Sequence, residues 1–416
     1  MILRARTVVP VSSPPIEDGA VEITAGKTVW VGRWTDASAD AKRETIDLGE
    51  VALLPGFVNA HCHLDYTGMA GKLPPPKRFS DWVRSLVALK AIWEDSDFAA
   101  SWKSGAAMLA RTGTTTVCDI EAVPSLLPAA WKETPLRVIS FRELIGLRNT
   151  PETSESVQKA ISQWRDLNAN ERVGLSPHAP YTVTGDVLHA AAVAARKWRW
   201  PLTTHIAESE EEFEMFLYRG GPLFEWLKSQ RDMSDCGRGS PVALLDQNEY
   251  LGPNLLAVHV NYLWRHDAAT LAKRGVSVVH CPRSHDYFRH LRFPRADLED
   301  AGVNLCLGTD SLASVRKNAG QLPELSMFAE MQSFAETNPE VTPSAILKMA
   351  TLNGAIALGR KGRFGEISPG AAADLIAIPF GGAVRGVYDA VLQHRGDVHA
   401  SMIEGEWVIR PTGLDK

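Results

Sequence analysis

His61 and His63 stand one residue apart at the end of an apolar run, in LLPGFVNAHCHLDYTGM over residues 53–69. On a strand, residues two apart project to the same face, so the two imidazoles point together and Cys62 points away. Converging imidazoles are donors for a metal such as zinc. A pair of hydrogen-bonded core histidines is the plainer alternative for an isolated His-x-His. Other short apolar runs end in the same way: RVGLSPHAP carries His178, LTTHIAES His205, LLAVHVN His259, VSVVHCP His280 and VNLCLGTD Asp310. Taken singly, each reads as a structural residue. Together, polar side chains at matching ends of successive runs do not make an apolar core.

A zinc-like ion takes about four N or O donors, and a catalytic site leaves one position for water. His61, His63, His205 and Asp310 offer three imidazoles and a carboxylate. Glu208, just beyond His205, is then placed to shuttle protons without binding the ion. Its alternative role is that of an acid favoured by a helix start, the role we assign to Glu210, Glu211 and Glu212 in ESEEEFE.

Such residues need a scaffold that brings strand ends together. Eight strand candidates alternate with helical stretches such as FSDWVRSLVALKAIWE and GDVLHAAAVAARKW. That is the count of a (β/α)8 TIM barrel, an α/β fold of ~250 residues whose chemistry sits at the C-terminal ends of its strands. Residues 54–364 supply it, with Val51 to Val58 read as one buried strand and KLPPPKR at 72–78 as a Pro-rich loop. Residues 1–53 and 365–416 read as short strands broken by Gly, Pro and Asp, the first set as a small antiparallel sheet. The two segments are expected to join in one small composite β domain, a β-sandwich packed beside the barrel.

The 416 residues are 45% hydrophobic and 22% charged, with a formal net charge of −5. This balance points neither to nucleic acid nor to an anionic membrane surface. No apolar run is long enough to span a bilayer, and MILRARTVVPVSSPP has charges and prolines where a signal peptide would be apolar. The 5 cysteines form no CxxC pair, so neither a disulfide framework nor a thiolate site is indicated. A cytoplasmic protein, acting on a small molecule and free to form a homo-oligomer, is the expectation.

The chain resembles the amidohydrolase superfamily, in its metal-dependent aminohydrolase branch of deaminases and triazine chlorohydrolases. The motifs are PGFVNAHCHLD, GTTTVCD, SPHAPYTV, THIAES, VHCPRS and LGTDSLAS, followed by TLNGAIALG and GEISPGAAADLIAI. The resemblance implies one divalent metal per chain, zinc or else iron, on His61, His63, His205 and Asp310. It implies that Glu208 and His259 handle protons, that Asp310 also takes a proton from the water, and that His178 contacts substrate. The reaction implied is attack by a metal-activated water on an amidine-like ring carbon, with release of ammonia. The strand holding His178 has no lysine of the kind that bridges two metals in other branches. Two departures lie where substrate is bound: His285 replaces an asparagine in HCPRSH, and LDYTGM differs from the methylthioadenosine enzymes.

An adenosine-type nucleoside is therefore the expected substrate, and Glu143, Arg148, Arg283 and His285 are candidates for reaching its ribosyl or acidic tail. A same-fold hydrolase with another leaving group, a free-base deaminase and a non-catalytic scaffold are the alternatives. His189, His266, His394 and His399 read as structural or surface residues, and Cys281 as core.

Overall fold

Runs of Val, Ile, Leu and Thr buried on both faces form parallel strands covered by helices. The computed structural model describes residues 1–74, 76–167, 172–317 and 323–411, so the stretch at 72–78 falls partly outside the described residues. Eight parallel strands follow one another around a barrel: Phe57–Cys62, Thr114–Glu121, Arg137–Leu144, Val173–Pro177, Leu202–Ile206, Leu255–His259, Ser277–His280 and Asn304–Leu307. The first and last meet just past their ends, where Cys62 bridges Asp310 in parallel fashion. Asn59 and Thr309 lock that seam through two side-chain hydrogen bonds, at 2.7 and 3.1 Å. Gly308 makes the close approach feasible, because a Cβ there would lie 2.9 Å from the backbone oxygen of His61. The barrel interior is filled by Ile139, Phe141, Leu256, Val258, Val279, Cys281 and Cys306.

The apolar run at residue 51 does not form one strand. It divides at Gly56 into Val51–Pro55, which lies in a second sheet, and Phe57–Cys62, which opens the barrel. Periodicity cannot see this break, since every residue on both sides is buried. Val51–Pro55 pairs in parallel with Ile2–Val8 and antiparallel with Leu375–Pro379, so it ties the two ends of the chain together. The resulting eight-stranded sheet is mixed rather than purely antiparallel. Among the described residues, no helix is long and apolar enough to cross a membrane.

An ion cluster fastens this sheet to the barrel floor. Arg137, at the start of the third barrel strand, pairs with buried Asp374 and, at 2.7 Å, with Glu404. Removing one partner of a buried pair leaves an uncompensated charge. Asp374→Ala is expected to lower stability by about 3 kcal/mol, the low end of the usual range because Glu404 remains. A urea midpoint within experimental error of wild type would show that the cluster contributes nothing.

Candidate active site

Each polar residue of the site sits at or just beyond the C-terminal end of a barrel strand. His61 belongs to the first strand and His63 follows it, His178 follows the fourth, His205 lies in the fifth, His259 ends the sixth and Asp310 follows the eighth. His259 and Asp310 have left-handed backbone angles, φ 75° and 52°. Such angles cost non-glycine residues of order 1–3 kcal/mol and concentrate at functional sites.

The donor atoms of His61, His63 and His205 lie within 4.8 Å of one another. The Nε2 atoms of His63 and His205 are 3.2 Å apart, and Asp310 Oδ1 is 3.6 Å from His61 Nε2 and 3.7 Å from His63 Nε2. His205 Nδ1–H donates to the backbone oxygen of His178 at 2.9 Å, which leaves a lone pair on Nε2 facing the cluster. His61 Nε2 and His259 Nε2 are buried with no hydrogen-bond partner among the described residues. Orphaned lone pairs beside a buried carboxylate fit a borderline divalent cation such as zinc. Asp310 is oriented by Ser314 Oγ–H, which donates to its Oδ2 at 3.0 Å.

Burial is the first cause of every shift here. It holds His63 and His205 well below the usual histidine range, with the charge of His61 adding to the effect, and it lowers His178. His259 is pushed down to about 3. Burial also opposes ionisation of Asp310, but the adjoining His61, His259 and His63 outweigh it and hold the carboxyl well below its usual range. Glu208 moves the other way: burial, then the charge of Asp310, raise it well above the carboxylate range. The shifts thus oppose charge on His63, His178, His205 and His259, favour it on Asp310 and oppose it on Glu208.

Glu208 is fully framed. Its Oε1 is 3.5 Å from His259 Nε2, its N–H donates to Glu212 at 2.9 Å, and its carbonyl accepts from Asn261 Nδ2 at 2.8 Å. Glu212 is not simply an acid in an exposed first turn. It is buried and also accepts the N–H of Ala207 at 3.0 Å, bracing the loop that carries Glu208. The sequence reading, which placed Glu212 in an acidic first turn, missed this role because it rests on contacts to the loop before the helix. Asp119 was missed as well. It ends no histidine-bearing motif, yet it accepts the N–H of Leu64 at 2.9 Å and the indole N–H of Trp102 at 2.8 Å, fixing the turn after His63.

The remaining candidates are placed unequally. His178 Nδ1 bonds Thr182 Oγ1 at 2.7 Å, and the ring lies 5.0 Å from that of His205. Glu143 is half-buried on the third strand, and its charge acts on His178. His285 Nδ1 bonds Asn261 Oδ1 at 3.0 Å and so connects through Asn261 to the Glu208 backbone. Arg283 is held by buried Glu330, at 2.5 Å, and by the carbonyl of Glu324 at 3.0 Å. Arg148 is exposed, and its Nε and Nη2 donate to the carbonyls of Gln230 and Ser229 at 2.9 Å. The structure therefore brings His178 and His285 to the buried cluster, and engages both arginines elsewhere.

A barrel whose strand ends gather three imidazoles, two carboxyls and a further histidine defines a hydrolase of the metal-assisted kind. The chain belongs to the Amidohydrolase family, whose model matches residues 52–408. It is 32% identical over 379 residues to a 5-methylthioadenosine/S-adenosylhomocysteine deaminase of Syntrophobacter fumaroxidans, covering 88% of this chain and 80% of that one. An adenosine deaminase from Xanthomonas campestris with bound zinc is 25% identical, with a TM-score of 0.78 over 98% of this chain and 92% of that one. Helicobacter pylori aminofutalosine deaminase shares the fold at 22% identity, with a TM-score of 0.85 over 98% of this chain and 100% of that one.

Proposed function

We propose that the chain is a hydrolytic deaminase of adenosine-type nucleosides, using one zinc ion held by His61, His63, His205 and Asp310. The observation that carries this reading is the buried cluster itself, in which unpartnered imidazole nitrogens lie beside the carboxyls of Asp310 and Glu208. The deaminase relatives support the substrate class.

Zinc in such a site supplies an acidified water, whose pKa falls from ~15.7 toward ~7. The protein's own residues do the rest. Asp310 takes the proton of the attacking water, and Glu208 delivers a proton to the ring nitrogen next to the reacting carbon. His259, 3.5 Å from Glu208, assists the proton transfer and orients the attacking water. The proton held by Asp310 passes to the amine, the carbon–nitrogen bond breaks to release ammonia, and the hydroxyl returns a proton to Glu208 as it becomes the carbonyl. His178 and, farther from the reacting carbon, Glu143 hydrogen-bond the rest of the substrate.

The test measures ammonia release from 5'-methylthioadenosine, S-adenosylhomocysteine and 5'-deoxyadenosine against adenine, guanine, cytosine and a pterin. A site that hydrogen-bonds the sugar is expected to prefer nucleosides over adenine by ~10⁴-fold in kcat/KM, because its buried polar groups would otherwise stay unpaired. A free base turned over faster than every nucleoside would overturn the nucleoside reading. Release of a group other than ammonia, with no deamination of any substrate, would overturn the deaminase reading.

A further inference from the structure

We propose that Tyr66 is the positioning residue of His63 and that Lys90 is its clasp, so that docking of a helix over the mouth and alignment of one metal ligand depend on the same contact. The inference rests on the reading of His63 as a ligand.

Imidazole ligands are normally oriented by a hydrogen bond from the ring nitrogen that does not face the metal. His205 has that bond, to the backbone oxygen of His178. His63 does not: its Nδ1 is buried with no partner among the described residues. What lies against it is an aromatic face. The Tyr66 ring stacks on the His63 ring with centroids 5.0 Å apart and planes 6° from parallel, while His205 stacks on His63 at 5.3 Å. A stacked ring limits rotation of the imidazole as a hydrogen bond would, and it leaves Nε2 aimed at the cluster.

Tyr66 is itself held from above. Lys90 Nζ donates to the Tyr66 hydroxyl and lies over its ring, 4.8 Å from the centroid. Lys90 is the last residue of helix Phe79–Lys90, which crosses the mouth. Phe79 packs on Tyr181 and Phe288 at 6.3 and 5.4 Å, and Trp82 packs on Phe288 at 5.0 Å. Trp82 Nε1–H donates to the carbonyl of Ala313, and the Ser80 N–H to Glu211, both at 3.3 Å. The helix therefore touches segments that follow the fourth, fifth, seventh and eighth strands. Its C-terminal charge sits on the ring that orients a ligand, which joins closure of the mouth to readiness of the site.

The experiment compares wild type with Tyr66→Leu, Tyr66→Phe, Lys90→Met and Lys90→Arg. Zinc retention is read by competition with a chelator, and KM and kcat are read on the preferred nucleoside. Loss of an orienting neighbour commonly costs roughly 10–100-fold in metal affinity, and Tyr66→Leu is expected to fall in that range. Lys90→Met and Tyr66→Phe keep the ring but lose the clasp. They should weaken zinc retention by a smaller factor and raise KM more than they lower kcat. Lys90→Arg should restore both, because a guanidinium can also donate to the hydroxyl while lying over the ring. If Tyr66→Leu does not fold, the other three variants decide. Wild-type zinc retention in every folded variant would overturn the inference alone, whereas wild-type protein that retains no zinc would overturn the ligand reading and this inference with it.

Discussion

Glu208→Gln is expected to lower kcat about 10²–10⁴-fold, the usual contribution of a positioned proton donor, while the protein keeps its full complement of metal. Glutamine matches glutamate in shape but cannot deliver a proton. The backbone of residue 208 would stay in place, because Glu212 holds its N–H and Asn261 its carbonyl, and neither bond uses the Glu208 side chain. The substitution therefore tests proton transfer with little disturbance of geometry. Burial, then the charge of Asp310, raise the wild-type carboxyl well above the usual carboxylate range, the direction a proton donor needs. Elemental analysis alongside steady-state kinetics separates the outcomes. Turnover near wild type would return Glu208 to the role of a helix-start acid. Loss of metal together with activity would instead make it a ligand, in the adjacent grouping of Glu208, His259 and Asp310.

The double substitution His205→Ala, Asp310→Ala should abolish both metal binding and activity, from about one ion per chain, the number expected of a four-donor site. The two residues contribute from opposite sides. His205 faces His63 Nε2 at 3.2 Å, and Asp310 supplies the negative charge near both His61 and His63. With both gone, two neutral imidazoles remain, too few donors for tight retention. Dialysis of the wild type against a strong chelator should reproduce the loss, and added zinc should reverse it only where all four side chains are intact. Wild-type metal content in the double variant would overturn the ligand assignment, whatever the activity.

The residues gathered at the candidate site were legible because chain order and position at the barrel mouth coincide in this fold. Each apolar run delivers its last side chain to one mouth, so reading the run ends of HCH, SPHAP, THIAE, AVHV and LGTD amounts to reading the rim of the barrel. Glu208 was singled out for a related reason, its spacing from His205, whereas Glu212 was read only as a helix-start acid.

What eluded that reading depends on partners distant in sequence. The break at Gly56 lies between two fully buried strands, and only their pairing with different sheets reveals it. Arg148 and Arg283 offer charge and reach in the sequence, but long side chains go to whatever acceptors the fold supplies. Those acceptors are the carbonyls of Ser229 and Gln230 for one and the carboxylate of Glu330 for the other. Tyr66 and Lys90 are 24 residues apart and belong to no shared pattern; a helix laid across the mouth makes them neighbours. The sequence by itself determined which residue types reach the strand ends, because strand periodicity and barrel topology are properties of local order. Only the tertiary structure decided which donors were already engaged, which nitrogens were left without partners and what covers the site, because those depend on side-chain contacts between segments far apart in the chain.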